Sequence, residues 1–498
     1  MEIKLVGKEV IPLKGDVLVV GVYKNQVLSP IAEVVNKAMS SLLKDFLVDI
    51  HFEAEAGETV FMPGHKQVKF KNIVVVGLGE KEKLQSDTIR KAASAGLKKA
   101  KELKNKDVYF ELLGEEIFGG KSAQFLIEGI ILGNYQFKKY KKPEKKEIEI
   151  QEVKVLGQKQ HSKFIHRGKI LAEATNFTRE IVNEPGNVVK PADLANIAQK
   201  LAKQYNLGCE IYDQSRLQKE GMNGIVAVGQ GSEHPPYFIH LIYKGEKPKK
   251  KLVLIGKGIT FDSGGLDLKP EKFMKTMKCD KSGACAVLGI MKAVAELKLN
   301  LEIHGLIPTA ENMPSGSAFR PDDIIVFKNG KSVEIGNTDA EGRLILADAL
   351  IYGSNLKPQV MIDMATLTGA CMVALGHYTT GIFCENQELT ALFQDIAQET
   401  GEKFWPLPLD EELKEEIKGS FSDIKNIGSR YGGAITAALF LKEFVSEDVK
   451  NWVHLDIAGP AFLEKTWKYY AEGATGVPVR TIISWLQKGA TIGTRTSG

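Results

Sequence analysis

The sequence predicts an α/β protein of two domains, each a mostly parallel or mixed sheet flanked by helices, the larger C-terminal one catalytic. Three observations carry this. Short apolar runs of strand length alternate with longer Lys- and Ala-rich stretches at helical spacing along the whole chain. The 498 residues exceed the ~250 to 300 at which a single hydrophobic core stops growing. Glycines and carboxylates crowd behind apolar runs in two later segments, as ligand sites do outside the carboxyl ends of strands in open α/β sheets.

Taken in order, the first domain, residues 1–160, has strand candidates at Val17–Val22 and Ile73–Gly77 and a helical stretch at Lys91–Lys104. The segment Lys138–Lys154 crowds Lys138, Lys139, Lys141, Lys142, Lys145 and Lys146 around Pro143 and reads as a solvated domain connection rather than an anion-binding patch. Its alternating EIEIQEVKVL end reads equally as an edge strand. A helical pattern at His161–Thr178 meets Asn183-Glu184-Pro185-Gly186-Asn187, whose adjacent Pro and Gly break it. Residues 161–190 are therefore expected to form a linker helix, and 191–498 the catalytic domain. There, strands are expected at Leu252–Ile255, Leu301–Leu306, Val360–Met364 and Trp452–Asp456, with helices at Ala284–Leu297 and Ala434–Val445. No fixed-period repeat is visible.

Composition narrows the function. With 43% hydrophobic and 26% charged residues the chain is an ordinary globular protein, and a net charge of +4 is too small to make nucleic acid the main partner. Cys209, Cys279, Cys285, Cys371 and Cys384 make an odd set without a CxxC pair, which argues against a disulfide framework or thiolate zinc site and for a reducing, cytoplasmic setting. The N-terminus lacks the continuous apolar core of a secretory signal. The longest apolar stretch, Val360–Gly376, contains Asp363 and falls short of the ~20 apolar residues of a membrane span, so it reads as a strand, a turn and a helix.

The chemistry concentrates in LVLIGKGITFDSGGLDLKP, residues 252–270, with MKCDKSGACA at 277–286, and in IGNTDAEGRLILADAL at 335–350. The glycine pairs imitate phosphate loops, but neither GxxxxGK[ST] nor a spaced GxGxxG is present, and the carboxylates would repel phosphate unless a cation intervened. Asp262, Asp280, Asp339 and Glu341 are hard oxygen donors suited to Mg²⁺, Mn²⁺ or Zn²⁺. Their four negative charges match two divalent ions. No histidine lies in either segment, which excludes an HExxH zinc site. Any one of these carboxylates alone would be read as a helix or turn cap; their clustering is what points to metal.

NTDAEGRL at 337–344 resembles the signature of the leucyl aminopeptidase family. GKGITFDSGG, NEPGN, ATLTGA at 365–370, DIKNIGSRYGGAITAALFL from Asp423 and HLDIAGPA at 454–461 also have that family's form, and in the first domain ILGNYQFKKYK is similar. The resemblance implies two divalent ions per subunit, Mn²⁺ or Zn²⁺. Asp262 and Glu341 would bridge them, Lys257 and Asp280 would complete the tighter site, and Asp339 the exchangeable one. Lys257 must then be neutral, which two adjacent cations make physically reasonable. The resemblance further implies that Lys269 polarises the scissile carbonyl, and that Arg343 holds a bicarbonate ion serving as general base toward the metal-bridging water. Met277, Asn337, Thr366, Gly369, Ala458 and Ala461 fall where the family binds substrate. Peptides with a free N-terminus are the expected substrates, leucine and other mostly apolar residues the preferred first residue, and a homohexamer the expected assembly.

Two positions depart from the family's common pattern. Lys281 stands where a methionine is common, placing a cation beside Asp280 and pointing either to solvent or at the site. Asp267 stands where serine is common and is positioned to pair with Lys269. Two rival readings stay open on the residues alone: a dimetal phosphoesterase, since two ions clamp phosphoryl displacement equally well, and an additional DNA-binding or regulatory role for the lysine-rich first domain.

Overall fold

A computed structural model describes residues 1–142 and 149–492. Pro143, Lys145 and Lys146 of the basic connection lie outside the described residues; Lys138, Lys139, Lys141 and Lys142 are exposed. The chain forms two compact units, Met1–Glu173 with Lys465–Glu472, and Ala174–Glu464 with the chain from Gly473. The helix Ser162–Asn183 contains the point of division and ends at the first residue of the NEPGN breaker.

Among the described residues, the first unit has a seven-stranded sheet ordered Glu2–Val6, Glu152–Leu156, Asp107–Phe110, Gly15–Tyr23, Val68–Gly77 and Thr59–His65, with Val27–Leu28 paired beside Gly15–Tyr23. Thr59–His65 and Val27–Leu28 run antiparallel to their neighbours and the other pairings are parallel, so the sheet is mixed. The continuous apolar runs follow from burial on both faces. Val17, Val19, Val74 and Val76 pack with the helices Ser86–Glu102 and Lys121–Asn134, while Leu18, Val20, Ile73 and Val75 pack with Pro30–Ala38 and Leu42–Asp49. The EIEIQEVKVL segment supplies a strand, Glu152–Leu156, but not an edge. Glu2–Val6 pairs outside it, and Lys154 forms ion pairs with Asp107 at 3.0 Å and Glu152 at 2.9 Å.

Among the described residues of the second unit, nine strands form a mixed sheet ordered Lys403–Pro406, Thr379–Phe383, Trp452–Asp456, Val360–Ala365, Lys251–Gly256, Glu302–Asn312, Tyr237–Lys244 and Gly208–Tyr212. The ninth, Gly258–Asp262, pairs with the far end of Glu302–Asn312. The centre is parallel, with Lys251–Gly256 between Glu302–Asn312 and Val360–Ala365, and the antiparallel pairs lie toward both ends. All four strands expected here form, as do the helices Ser282–Leu297 and Gly433–Lys442. The apolar stretch from Val360 is a strand to Ala365, a turn, and a helix Gly369–Leu375. No helix among the described residues is long and apolar enough to cross a membrane.

Candidate metal centre

Parallel strands at the centre of the second unit's sheet deliver their carboxyl ends to one place. Lys251–Gly256 leads into Lys257, Gly258–Asp262 ends on Asp262, Glu302–Asn312 ends on Asn312, and Val360–Ala365 leads into Thr366. The turn Met277–Lys281 brings Asp280, and the loop before the helix Gly342–Asn355 brings Asp339 and Glu341. Lys257, Asp262, Asp280 and Glu341 are all buried, and Asp339 is half-buried.

Lys257 Nζ donates to Asp280 Oδ1 at 2.8 Å and to the Thr366 carbonyl at 2.9 Å, and lies 2.9 Å from Glu341 Oε1. Gly342 leaves room for this side chain, since a Cβ there would come within 2.4 Å of Lys257 Cε and push the amine from its place. Lys269 Nζ lies 2.9 Å from Asp262 Oδ2 and 2.5 Å from Asp339 Oδ1. Asp262 Oδ1 accepts from Asn312 Nδ2 and the Gly264 amide, both at 2.9 Å, and Thr366 Oγ1 donates to Asp280 Oδ1 at 2.6 Å.

Burial pushes all four carboxyl groups above the usual carboxylate range, and repulsion among them adds to the effect against the pull of the two lysines. Burial opposes the charge on Lys257, yet Asp280, Glu341 and Asp262 outweigh it and hold the ammonium above the ordinary lysine range. Lys269 is raised against burial in the same way by Asp262, Glu341 and Asp339.

The donor set fits a hard cation. Carboxylate oxygens of Asp262, Asp280 and Glu341 lie within 4.8 Å of one another. Asp280 Oδ2, Glu341 Oε1 and Asp339 Oδ1 are buried near ammonium groups yet accept no well-aligned hydrogen bond. Four carboxylates, three of them buried, face only two ammonium groups, and buried charge is ordinarily balanced, so this excess of negative oxygens suits the cluster to cations.

A cleft of about 280 Å³ opens beside the cluster, lined in part by Lys269, Asn337, Asp339, Arg343 and Gly369. Arg343 is buried; Nη1 donates to the Asn426 carbonyl at 2.7 Å, while Nε has no hydrogen-bond partner among the described residues. Burial lowers its pKa to about 10. Asn337 Oδ1 accepts from the Asp339 amide at 2.7 Å and so shapes the loop that carries Asp339 and Glu341 as well as the cleft. Met277, Thr366, Ala458 and Ala461 do not line this cleft: Met277 is half-buried in the Asp280 turn, Thr366 holds Asp280, Ala458 donates to Asp456, and Ala461 is buried.

The profile of the "Cytosol aminopeptidase family, catalytic domain" matches residues 176–483, and that of the same family's N-terminal domain matches 19–144. The chain belongs to the cytosol aminopeptidase family. It is 48% identical over 492 residues to a "Probable cytosol aminopeptidase" of Aquifex aeolicus, covering 98% of each chain. Identity with one from Persephonella marina is 50% over 466 residues, 92% of this chain and 94% of that one. Among solved structures, a tomato leucine aminopeptidase mutant superposes with a TM-score of 0.88 at 34% identity, covering 98% of this chain and 96% of the other. The bottromycin maturation enzyme BotP in complex with Mn superposes at 0.86 and 32% identity, covering 96% and 100%. As a member of this family, the chain is a peptidase, an aminopeptidase hydrolase.

Both departures from the family pattern resolve against a role at the lysines of the site. Asp267 does not pair with Lys269; its Oδ2 accepts from the Thr338 amide at 2.7 Å while its own amide donates to Thr338 Oγ1 at 2.9 Å, stapling the loop before Lys269 to the loop that carries Asp339 and Glu341. Lys281 points neither to solvent nor at Asp280. It is fully buried, its amine faces main-chain carbonyls, and burial lowers its pKa to about 8.

Sequence reading missed several residues that hold the site. Asn312 steadies Asp262. Asn426 accepts from the Gly336 amide at 2.8 Å and donates to the Asn337 carbonyl at 2.7 Å, fixing the loop that carries Asp339. Asp456 accepts from Thr368 Oγ1 at 2.7 Å and the Leu367 amide at 3.2 Å, fixing one wall of the cleft. HLDIAGPA was visible as a motif, but not this task for its aspartate.

Proposed function

We propose that the chain removes N-terminal amino acids, leucine and other mostly apolar residues, from peptides in a reaction that depends on two divalent ions. The observation that carries this reading is the cluster of four carboxylates, three of them buried, that share two ammonium groups beside a cleft that Lys269 and Arg343 line. Asp262 and Glu341 would be shared between the ions, Asp280 and Lys257 would hold one, and Asp339 the other. Bound there, the ions would supply Lewis-acid charge that acidifies water and polarises a peptide carbonyl.

The chain's own groups do the rest. Lys257 must release its proton to serve as a ligand, so loading the site liberates a proton. Lys269, at the cleft wall, stabilises the charge that develops on the substrate's carbonyl oxygen. Arg343 offers an unpartnered Nε and a planar fork suited to bicarbonate, which would supply a base where the two loops provide none. The substrate's free α-amine belongs beside Asp280, which restricts cleavage to the first residue. Mn²⁺ or Zn²⁺ suits these donors, and the Mn bound to BotP favours Mn²⁺. Assembly as a homohexamer and a cytoplasmic location belong to the same proposal and rest on the family.

The test is a substrate panel. Mn²⁺-reconstituted protein is expected to hydrolyse leucyl and cysteinyl-glycine substrates and to leave N-acetylated peptides intact. Hydrolysis of a phosphate ester alone would overturn the reading.

A further inference from the structure

We propose that Lys281 is a positioning residue for the Asp280 turn, its buried ammonium acting as a tethered cation that locks this turn to the end of the long helix. The proposal rests on the dimetal reading above.

Lys281 Nζ donates to the carbonyls of Lys278 at 2.6 Å, Glu184 at 2.9 Å and Val182 at 3.3 Å. Carbonyls only accept, so three such partners call for three protons on the nitrogen, an ammonium. Val182 and Glu184 flank the last residue of the helix Ser162–Asn183, where the final carbonyls lack intrahelical donors and carry the negative end of the helix dipole. Lys278 Nζ takes the intervening carbonyl, that of Asn183, at 2.9 Å. Two lysines of one turn thus bind three consecutive peptide oxygens.

That turn, Met277–Lys281, carries Asp280. Lys281 closes it internally through Lys278 and externally through the helix end. Directly afterwards Gly283 is pressed so closely on the next strand that a Cβ would lie 2.0 Å from the Met364 carbonyl. Asp280 is therefore held between two rigid attachments. Three carbonyl oxygens converging on one point also make a shell for a free monovalent cation. Removing the ammonium while keeping the side chain's length takes a buried charged donor from all three oxygens, a loss that costs free energy unless an ion enters.

The experiment compares wild type with Lys281→Met. Mn²⁺ affinity is measured by competition with a fluorescent chelator in KCl, NaCl or choline chloride at equal ionic strength, and folding is followed by circular dichroism in each salt. Wild type is expected to bind two ions with affinities indifferent to the salt. Lys281→Met is expected to bind one of them roughly ten- to a hundredfold more weakly in choline chloride, the usual effect of losing a group that orients a ligand. KCl or NaCl should recover most of that loss. Folding of the variant only in KCl or NaCl would support the cage equally. Unchanged affinity in choline chloride, a loss that neither cation reverses, a variant unfolded in all three salts, or salt-sensitive wild-type affinity would each overturn the proposal. Wild type that binds no Mn²⁺ would overturn the dimetal reading and this assignment with it; two ions held equally by both proteins would overturn this assignment alone.

Discussion

The two sheets both bury acidic side chains at the carboxyl ends of parallel strands, and they satisfy them differently. In the first unit Glu111, directly after the strand Asp107–Phe110, accepts from Ser29 Oγ at 2.5 Å, the Ile31 amide at 2.8 Å and the Gly21 amide at 3.0 Å. Both of its oxygens have donors, two of them at the start of the helix Pro30–Ala38. In the second unit four carboxylates share two ammonium groups, and three of their oxygens lack an aligned hydrogen bond. A saturated carboxylate is scaffold, while a cluster left short of donors is suited to cations. Burial alone does not separate the two, since Glu111 and Glu341 are both inaccessible.

The strongest way to break this contrast is Glu341→Ala. If Glu341 is shared by both ions, leucyl-substrate turnover should fall by at least ~1000-fold, and metal analysis should find less than the wild-type content. Unchanged metal content would remove Glu341 from the ligand set. Lys269→Ala should retain metal and lower kcat by ~100- to 1000-fold, the cost of losing one preorganised charge. Equal loss of metal in that variant would make Lys269 structural.

Smaller effects sharpen the scaffold side. Asp267→Ala leaves the Thr338 amide without its acceptor, which should cost about 1–3 kcal/mol in chemical denaturation, with metal content unchanged. Glu111 is pushed up to about 7 by burial, from an ordinary value of 4.5, despite three donors pulling it down. A raised folded-state value means that its contribution to stability is fully present below the ordinary carboxylate range and is lost as pH rises through 7. Glu111→Gln should therefore flatten the decline in stability between about pH 5 and 7 seen in thermal unfolding, and leave metal content as in wild type. An unaltered pH profile would show that Glu111 does not titrate there.

The central strands were legible because burial on both faces writes them as unbroken apolar runs, Trp452–Asp456 and Val360–Ala365 among them. The outer strands Glu2–Val6, Gly208–Tyr212 and Lys403–Pro406 were not, because their exposed faces carry polar residues and their runs are short. The carboxylates of the site were legible as clustered charge after strands. That Lys257 is buried among these carboxylates was legible only through family resemblance, since a lysine at a strand end ordinarily reads as solvated. The partners of Asp267 and Lys281 were hidden, because they lie 71 and up to 99 residues away along the chain and, for Lys281, are peptide oxygens that any residue supplies.

The most direct test of the dimetal account is to titrate metal-stripped protein with Mn²⁺ while measuring bound ions per chain and leucyl-substrate hydrolysis together. Activity should be absent without metal and should reach its plateau at two ions per chain. Full activity in the stripped protein, or a plateau at one ion, would contradict it.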